Sequence, residues 1–395
     1  MLHVHLGPSP LALGLLIPAT SSAGFDIAIF GRAGAAEPRE YLIGWSGPGG
    51  SVAVQRGIRW FEGPESIDDV PDELVDRIGS GEPLLVTATL RGAIAKRADL
   101  IESLLGCRTG GSDTILLACE NDPKSEYGRL ADLATAIGGQ SLRTVVNRMC
   151  IKRSRDSDGR RRVSAHPLGE WLIERPARSS SVITALASAA DVEIVDDIDA
   201  RRDRKIWMVN GAHQALALMA RRGGKRHLQT AAREPEVLAR LSHIHAAMNE
   251  ALRHRHPGLD GNLEYGLRHV TAYCEHPDSV KRVLGAFQRA DLSTFFGNLN
   301  ERVAEPARIC YREGWSVEPL KFPFDVLERL VVTVDRFEDG REIRRGRVKL
   351  RAAHDDRALD AYESLLTGWM DDVEIGRRLR TLETRLSDHR RAWPA

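Results

Sequence analysis

Hydrophobic positions follow two different periods along the chain. Residues 2 to 6 (LHVHL) alternate like a strand, and GPSPLALG from Gly7 to Gly14 leads into the apolar Leu15 and Leu16. Short apolar runs recur at Phe25 to Phe30, at Leu84 to Leu90 before a helix starting near Gly92, at Thr114 to Cys119, Thr144 to Ile151 and Val192 to Val195. Such runs, alternating with helical stretches, predict an α/β fold whose parallel sheet is covered on both faces. Beyond Val195 the period is helical, over 205–221, 234–254, 279–290, 324–337 and 355–388. The charged run DDIDARRDR (196–204) marks a boundary, giving domains over 1–200 and 201–395.

The composition is that of a soluble globular enzyme: 395 residues, 42% hydrophobic, 28% charged and a net charge of +1. This charge balance argues against nucleic acid or a membrane as partner and for a small molecule. The absence of a long apolar run and of a signal-peptide pattern gives the expectation of a cytoplasmic protein. Five cysteines without a CxxC pair predict reduced thiols and no zinc framework. Two His-x-His pairs, His243 with His245 and His254 with His256, diverge on a helix, so no metal is expected. The stretch KRSRDSDGRRR (152–162) reads as a loop with a turn at Asp158-Gly159, its arginines solvated or holding an anion.

Polar residues interrupt an apolar helix in KIWMVNGAH (205–213). At about 100° per residue, Lys205, His213 and Asn210 fall near 0°, 80° and 140°, on one broad arc. A lysine in apolar surroundings loses charge easily and can serve as a general base, while Asn210 and His213 can donate to an oxygen beside it. The same pattern also fits an amphipathic helix with a snorkelling Lys205 and a core His213. The turn after the first strand resembles GxGxxG with Ser9 at the second glycine position and Ala12 at the third. Pro8 and Pro10 remove two backbone donors, so a simple strand-to-helix turn stays open. Gly7, Ser9, Gly14, Thr87 and Thr89 are the candidate cofactor contacts. Arg32 stands where an NAD-specific fold has an acidic residue, which favours NADP over NAD unless that arginine is merely solvated. Asn121 follows a strand's carboxyl end, the edge at which such sheets bind ligands.

Taken together, these residues resemble the polyol-specific long-chain dehydrogenases. The family's Lys-x4-Asn-x2-His signature stands as Lys205, Asn210 and His213. ACEN is present at 118–121, VTATL at 86–90, VNRM at 146–149, HPLGEWLIE from His166 and NLNERVAEPAR over 298–308, alongside HLGPSPLALG. The resemblance runs from residue 2 to about residue 311. It implies a Rossmann-type N-terminal domain with a mainly α-helical C-terminal domain, and metal-independent, NAD(P)-dependent interconversion of a polyol or polyol phosphate and its ketose. By resemblance Lys205 is the base, Asn210, His213 and Asn121 hold the reacting oxygen, and Arg302 contacts substrate. Asn147 stands where the family has an aspartate, and Leu13 where it has an arginine. Arg302 and Arg308, six residues apart around Pro306, are expected to face a substrate anion; alternatively Arg302 touches hydroxyls and Arg308 pairs with Glu301 or Glu305. Two other functions fit the same residues. One is a non-catalytic dinucleotide-binding sensor, the other an epimerase using transient hydride transfer.

Overall fold

The computed structural model describes residues 1–31, 40–44, 52–61, 64, 66–89, 94–108, 113–119, 131–153, 160–275, 292–330 and 356–392. They form two compact units, Met1–Arg201 and Arg202–Ala395. In the first unit, β1 (Leu2–Leu6), β2 (Asp26–Phe30), β3 (Tyr41–Gly44), β4 (Val52–Gln55), β5 (Ile58–Phe61), β6 (Leu84–Ala88), β7 (Thr114–Ala118), β8 (Gln140–Leu142), β9 (Thr144–Arg153), β10 (Arg162–Glu174) and β11 (Val192–Val195) build two sheets.

The larger sheet is parallel throughout, in the order β5-β2-β1-β6-β7-β8. Chain order runs outward in both directions from the β1–β6 pair, so the carboxyl ends of these two strands form the switch point where doubly wound sheets bind ligands. Leu2, Val4 and Leu6 of β1 join the core with Val86, Leu74 and Leu104. The alternate residues, His3 and His5, are fully buried too. The alternation in LHVHL therefore does not mark a solvated face: both faces are covered, and the polar one is satisfied internally.

A second sheet has the order β11-β10-β3-β4 with β9 on β10, and of its strands only β9 and β11 correspond to the apolar runs at 144–151 and 192–195. Its longest strand, β10, is not among the expected ones; it carries Pro167 and Gly169 in its middle, the β9–β10 register shifts between Ala165 and Gly169, and the strand continues across the irregularity. The charged run 152–162, expected as a loop, instead supplies the ends of β9 and β10. Residues 154–159, including its predicted turn, lie outside the described residues. Of that run's arginines, expected to be mostly solvated or to hold an anion, Arg161 is buried, with its guanidinium 5.7 Å from the Trp60 ring centre, and burial lowers its pKa.

The charged run expected to mark the domain boundary is largely helix, Ile198–Arg204. In the second unit the long helix Pro235–Arg255 packs on Ala212–Arg222, Asn262–Glu275, Glu305–Arg312 and Glu318–Leu330. The single helix expected over 355–388 is two, Asp356–Leu366 and Asp372–Ala392, separated at Gly368, whose φ of 85° no helix accommodates. Behind that break Arg378, 1% exposed, donates to Glu328 at 2.7 Å and Asp325 at 2.7 Å. The helix expected at 279–290 lies outside the described residues. No helix among the described residues is long and apolar enough to cross a membrane.

Candidate active site

Lys205–Gly211 is a π-helical turn set between the α-helices Ile198–Arg204 and Ala212–Arg222. A π-turn bonds residue i to i+5, so residues five apart stack on one face. Lys205 and Asn210 are such a pair, and His213, three residues beyond Asn210 where the α-helix resumes, is its neighbour. The wide arc expected from α-helical spacing is thus closed to a narrow one. Lys205 is 4% exposed, among Ile206, Trp207, Met208 and Val209, all buried.

Widening a helix frees carbonyls, and here side chains from two other helices take them. His245 Nε2 donates to Met208 O at 2.9 Å, and Tyr273 Oη to Val209 O at 3.0 Å. The Tyr273 ring also stacks on His213, with centroids 4.7 Å apart and an interplanar angle of 10°, which holds the imidazole flat. Burial lowers the His245 pKa against the opposing pull of its Met208 bond, so the ring is a neutral donor. Gly266 makes room for it: a Cβ there would lie 3.2 Å from the His245 ring.

A second π-turn, Asn300–Ala304, packs against the first. The contact is close because Gly211 has no side chain; a Cβ there would stand 2.6 Å from Arg302 O. Arg302 Nη1 donates to Gln214 at 3.3 Å, which ties the expected substrate arginine to the helix bearing His213. Asn210 Nδ2 and Asn300 Oδ1 are buried with no hydrogen-bond partner among the described residues. Each such atom costs about 1–3 kcal/mol and calls for a functional or hydration partner. Charges tie the flanking helices together: Arg202 of helix Ile198–Arg204 pairs with Glu301 of the second turn, and Arg255 of the long helix pairs with Glu305 and, at 3.3 Å, with Asp203. His256 Nε2 lies 3.0 Å from Asp203.

Of the two settings expected for Arg308, the structure shows the ion pair with Glu305. Its guanidinium donates to Thr367 O at 3.0 Å, Leu365 O at 3.1 Å and Ser364 O at 3.3 Å, with Glu305 at 3.4 Å. It closes the carbonyl end of helix Asp356–Leu366, and four of its five N–H donors are taken up within the protein.

In the first unit the glycine turn sits at the switch point. Gly7 has a φ of 89° and Gly31, closing β2, lies beside Pro8. Ser9 caps the following helix, its Oγ accepting from Ala12 N at 3.1 Å. Gly7 N is used by Phe30 O and Ser9 N by Gly7 O. The turn therefore fits a dinucleotide in backbone shape and position, yet with Pro8 and Pro10 it has few main-chain donors for a pyrophosphate. Thr89 Oγ1 donates to Gly7 O at 2.6 Å, placing it at the turn. Thr87 does not face it: its hydroxyl is held by His3 at 2.7 Å and His5 at 2.6 Å in the interior. Gly14 is likewise a packing residue, since a Cβ there would meet Cys150 Sγ at 2.5 Å. That helix also has a π-turn, Ala12–Leu16, whose carbonyls Leu13 O and Gly14 O accept from Tyr41 Oη at 2.6 Å and Arg148 Nη1 at 2.9 Å. Asn147, on β9, donates to Glu170 at 3.3 Å. Arg32 and Asn121 lie outside the described residues.

Tyr273, Gln214 and Asn300 give no sequence signal for the site and His245 only that of a His-x-His pair, whereas Gly211, an isolated glycine in an apolar helix, marks a close approach.

The fold, a parallel sheet followed by a helical unit, is shared with dehydrogenases of known structure. Its solved counterparts include mannitol 2-dehydrogenase from Pseudomonas fluorescens, in complex with NAD and D-mannitol, at a TM-score of 0.64 and 15% identity over 98% of this chain and 91% of that one. D-sorbitol dehydrogenase matches at a TM-score of 0.64 and 14% identity, covering 97% and 94%. In sequence the chain is similar to mannitol-1-phosphate 5-dehydrogenases. That of Shouchella clausii is 22% identical over 345 residues, 81% of this chain and 86% of the relative. That of Thermoanaerobacter pseudethanolicus is 26% identical over 155 residues, a match spanning only 37% of the relative's length. No family model matches the chain.

Proposed function

We propose that this chain is a nicotinamide-dependent oxidoreductase that interconverts a polyol, or polyol phosphate, and its ketose without a metal. The observation that carries the reading is the π-turn over Lys205–Gly211, in which Lys205 and Asn210 stand the π-repeat of five residues apart, with His213 just beyond. In this reading Lys205 Nζ takes the hydroxyl proton, and Asn210 Nδ2 and His213 steady the oxygen as it becomes a carbonyl. Asn121 completes the oxygen contacts, and Arg302 and Asn147 hold the rest of the substrate. The bound nicotinamide supplies or accepts the hydride. Gly7, Ser9 and Thr89 line its nucleotide turn, and Arg32 favours NADP through charge-assisted bonds to a 2′-phosphate.

The test is loss of NADPH or NADH absorbance with ketoses, ketose phosphates and keto-sugar acids. Turnover of at least one ketose is expected, faster with NADPH; failure with every carbonyl compound would sink the assignment. The donor-poor glycine turn favours a second reading, a sensor that binds dinucleotide without turnover. Saturable NADPH binding with no substrate consumed anywhere in the panel is the result that would support it.

A further inference from the structure

Beneath the glycine turn lies a chain of buried side chains that the proposed chemistry does not use. His3 Nδ1 is 2.9 Å from Thr20 Oγ1, His3 Nε2 is 2.7 Å from Thr87 Oγ1, His5 Nδ1 is 2.6 Å from Thr87 Oγ1, and His5 Nε2 is 2.8 Å from Gly7 O. Both rings are fully buried, and burial lowers the pKa of each, His5 to about 4, so both are neutral near pH 7.

Neutral rings leave one consistent proton order. Gly7 O can only accept, so the His5 proton is on Nε2 and its Nδ1 is bare. Thr87 must then donate to that Nδ1, which leaves Thr87 Oγ1 to accept from His3 Nε2–H. His3 Nδ1 in turn accepts from Thr20, whose hydroxyl also lies 3.0 Å from Leu16 O. All the donors along this line point towards Gly7.

At its end the Gly7 carbonyl receives His5 Nε2–H at 2.8 Å, Thr89 Oγ1–H at 2.6 Å and Ser9 N–H at 2.8 Å. This matters because the turn is short of positive edges. Pro8 and Pro10 have no N–H, Gly7 N and Ser9 N are used internally, and Ala12 N is bonded to Ser9 Oγ. A carbonyl turned outward here would oppose an anion with little to offset it. We propose that the His3–Thr87–His5 chain is a positioning device for the dinucleotide turn, holding the Gly7 carbonyl inward and away from a bound pyrophosphate. His5 touches the Gly7 main chain and not the nucleotide, so it acts through the turn. The proposal rests on the reading that this turn takes a dinucleotide.

The probe is ADP-ribose, titrated calorimetrically into the full chain at neutral pH, with a thermal melt of every variant. His5→Leu, which removes the donor to Gly7 O, should weaken binding at least about tenfold, the scale of one hydrogen bond's net worth. His5→Gln, whose amide can donate to Gly7 O and accept from Thr87, should stay within about threefold of the parent. A His5→Leu protein that melts like the parent and binds ADP-ribose equally well overturns the proposal. If His5→Leu does not fold, Thr89→Val removes one of the same donors and should weaken binding by about threefold or more; unchanged affinity there is equally fatal. Nitrogen NMR of the histidines should show Nε2–H on both rings, and an Nδ1–H form of His5 contradicts the proton order. A parent chain that binds neither ADP-ribose nor NADH nor NADPH removes the nucleotide reading itself, and this proposal with it. A parent that binds, with variants that bind alike, removes the proposal alone.

Discussion

Lys205 is only 4% exposed, and an amine held that deep is either paired or put to chemical use. Lys205→Ala should lower kcat by at least about a hundredfold while leaving NADPH affinity near that of the parent, because general-base contributions are of that size. Stopped-flow turnover and fluorescence titration would show this; near-normal kcat would dismiss the base. The two arginines of NERVAEPAR should part company. Arg302→Ala, which frees Gln214 and the surface beside His213, should raise KM or lower kcat/KM by about tenfold or more with little change in melting temperature. Arg308→Ala should do the reverse, because it uncovers three carbonyls of one helix end and lowers stability by about 1–3 kcal/mol with kcat/KM nearly kept. The spacing of these arginines was legible in the sequence. Which of its two settings Arg308 takes was not, because it is claimed by carbonyls 56 to 59 residues away.

Among elements, the π-turns carry most of the site's geometry. Those at Ala12–Leu16 and Lys205–Gly211 share a construction, with carbonyls taken by a tyrosine hydroxyl and one further donor, Arg148 in the first and His245 in the second. Tyr273→Phe should therefore do more than remove one bond worth about 1 kcal/mol. By leaving Val209 O unmatched it should let the turn relax towards α-helical spacing, which swings Asn210 off the Lys205 face. A drop in kcat larger than the change in stability predicts is the expected signature, read from paired kinetics and urea melts. Gly211→Ala is the sharper case. Its Cβ would press on the Arg302 carbonyl, a main-chain atom with no rotamer to escape into, at a cost of about 1–3 kcal/mol. Substrate affinity should fall with it, and unchanged KM would show that the fit between the two π-turns is not used. Helical periodicity from 205 onward located this element correctly. It could not reveal the π-turn, since the extra residue leaves the apolar pattern almost unchanged and the donors that sustain it come from 37 and 64 residues downstream.

At the scale of the molecule, acid should find the first unit through its buried histidines. His5 titrates at about 4 when folded, against 6.5 in an unfolded chain. Below pH 6.5 the unfolded form gains a proton that the folded form refuses, so stability is full above that pH and falls as the pH drops towards 4. The loss approaches about 3 kcal/mol for His5, and His3 adds to it with the same sign. Urea unfolding at neutral and mildly acidic pH should show this dependence, and His5→Gln should flatten it; equal slopes for parent and variant would show that His5 is not the titrating group.

Strand positions such as Leu84–Ala88 and Thr114–Ala118, the helical second half and the Lys205, Asn210 and His213 set are local facts. They follow from runs of apolar side chains and from fixed spacings, which any chain with this sequence carries before it folds. Other features depend on partners distant along the chain. LHVHL is a strand in either case, but His3 and His5 became interior polar groups only because Thr87 arrives 84 and 82 residues later to join them. Thr87 and Gly14, read as cofactor contacts, turned inward for the same reason: a buried hydroxyl must find a partner, and a glycine's missing side chain is filled by whatever packs closest, here Cys150. Which polar residues face a ligand and which satisfy one another is set by what the fold brings within about 3 Å of each, and no spacing along the sequence encodes that distance.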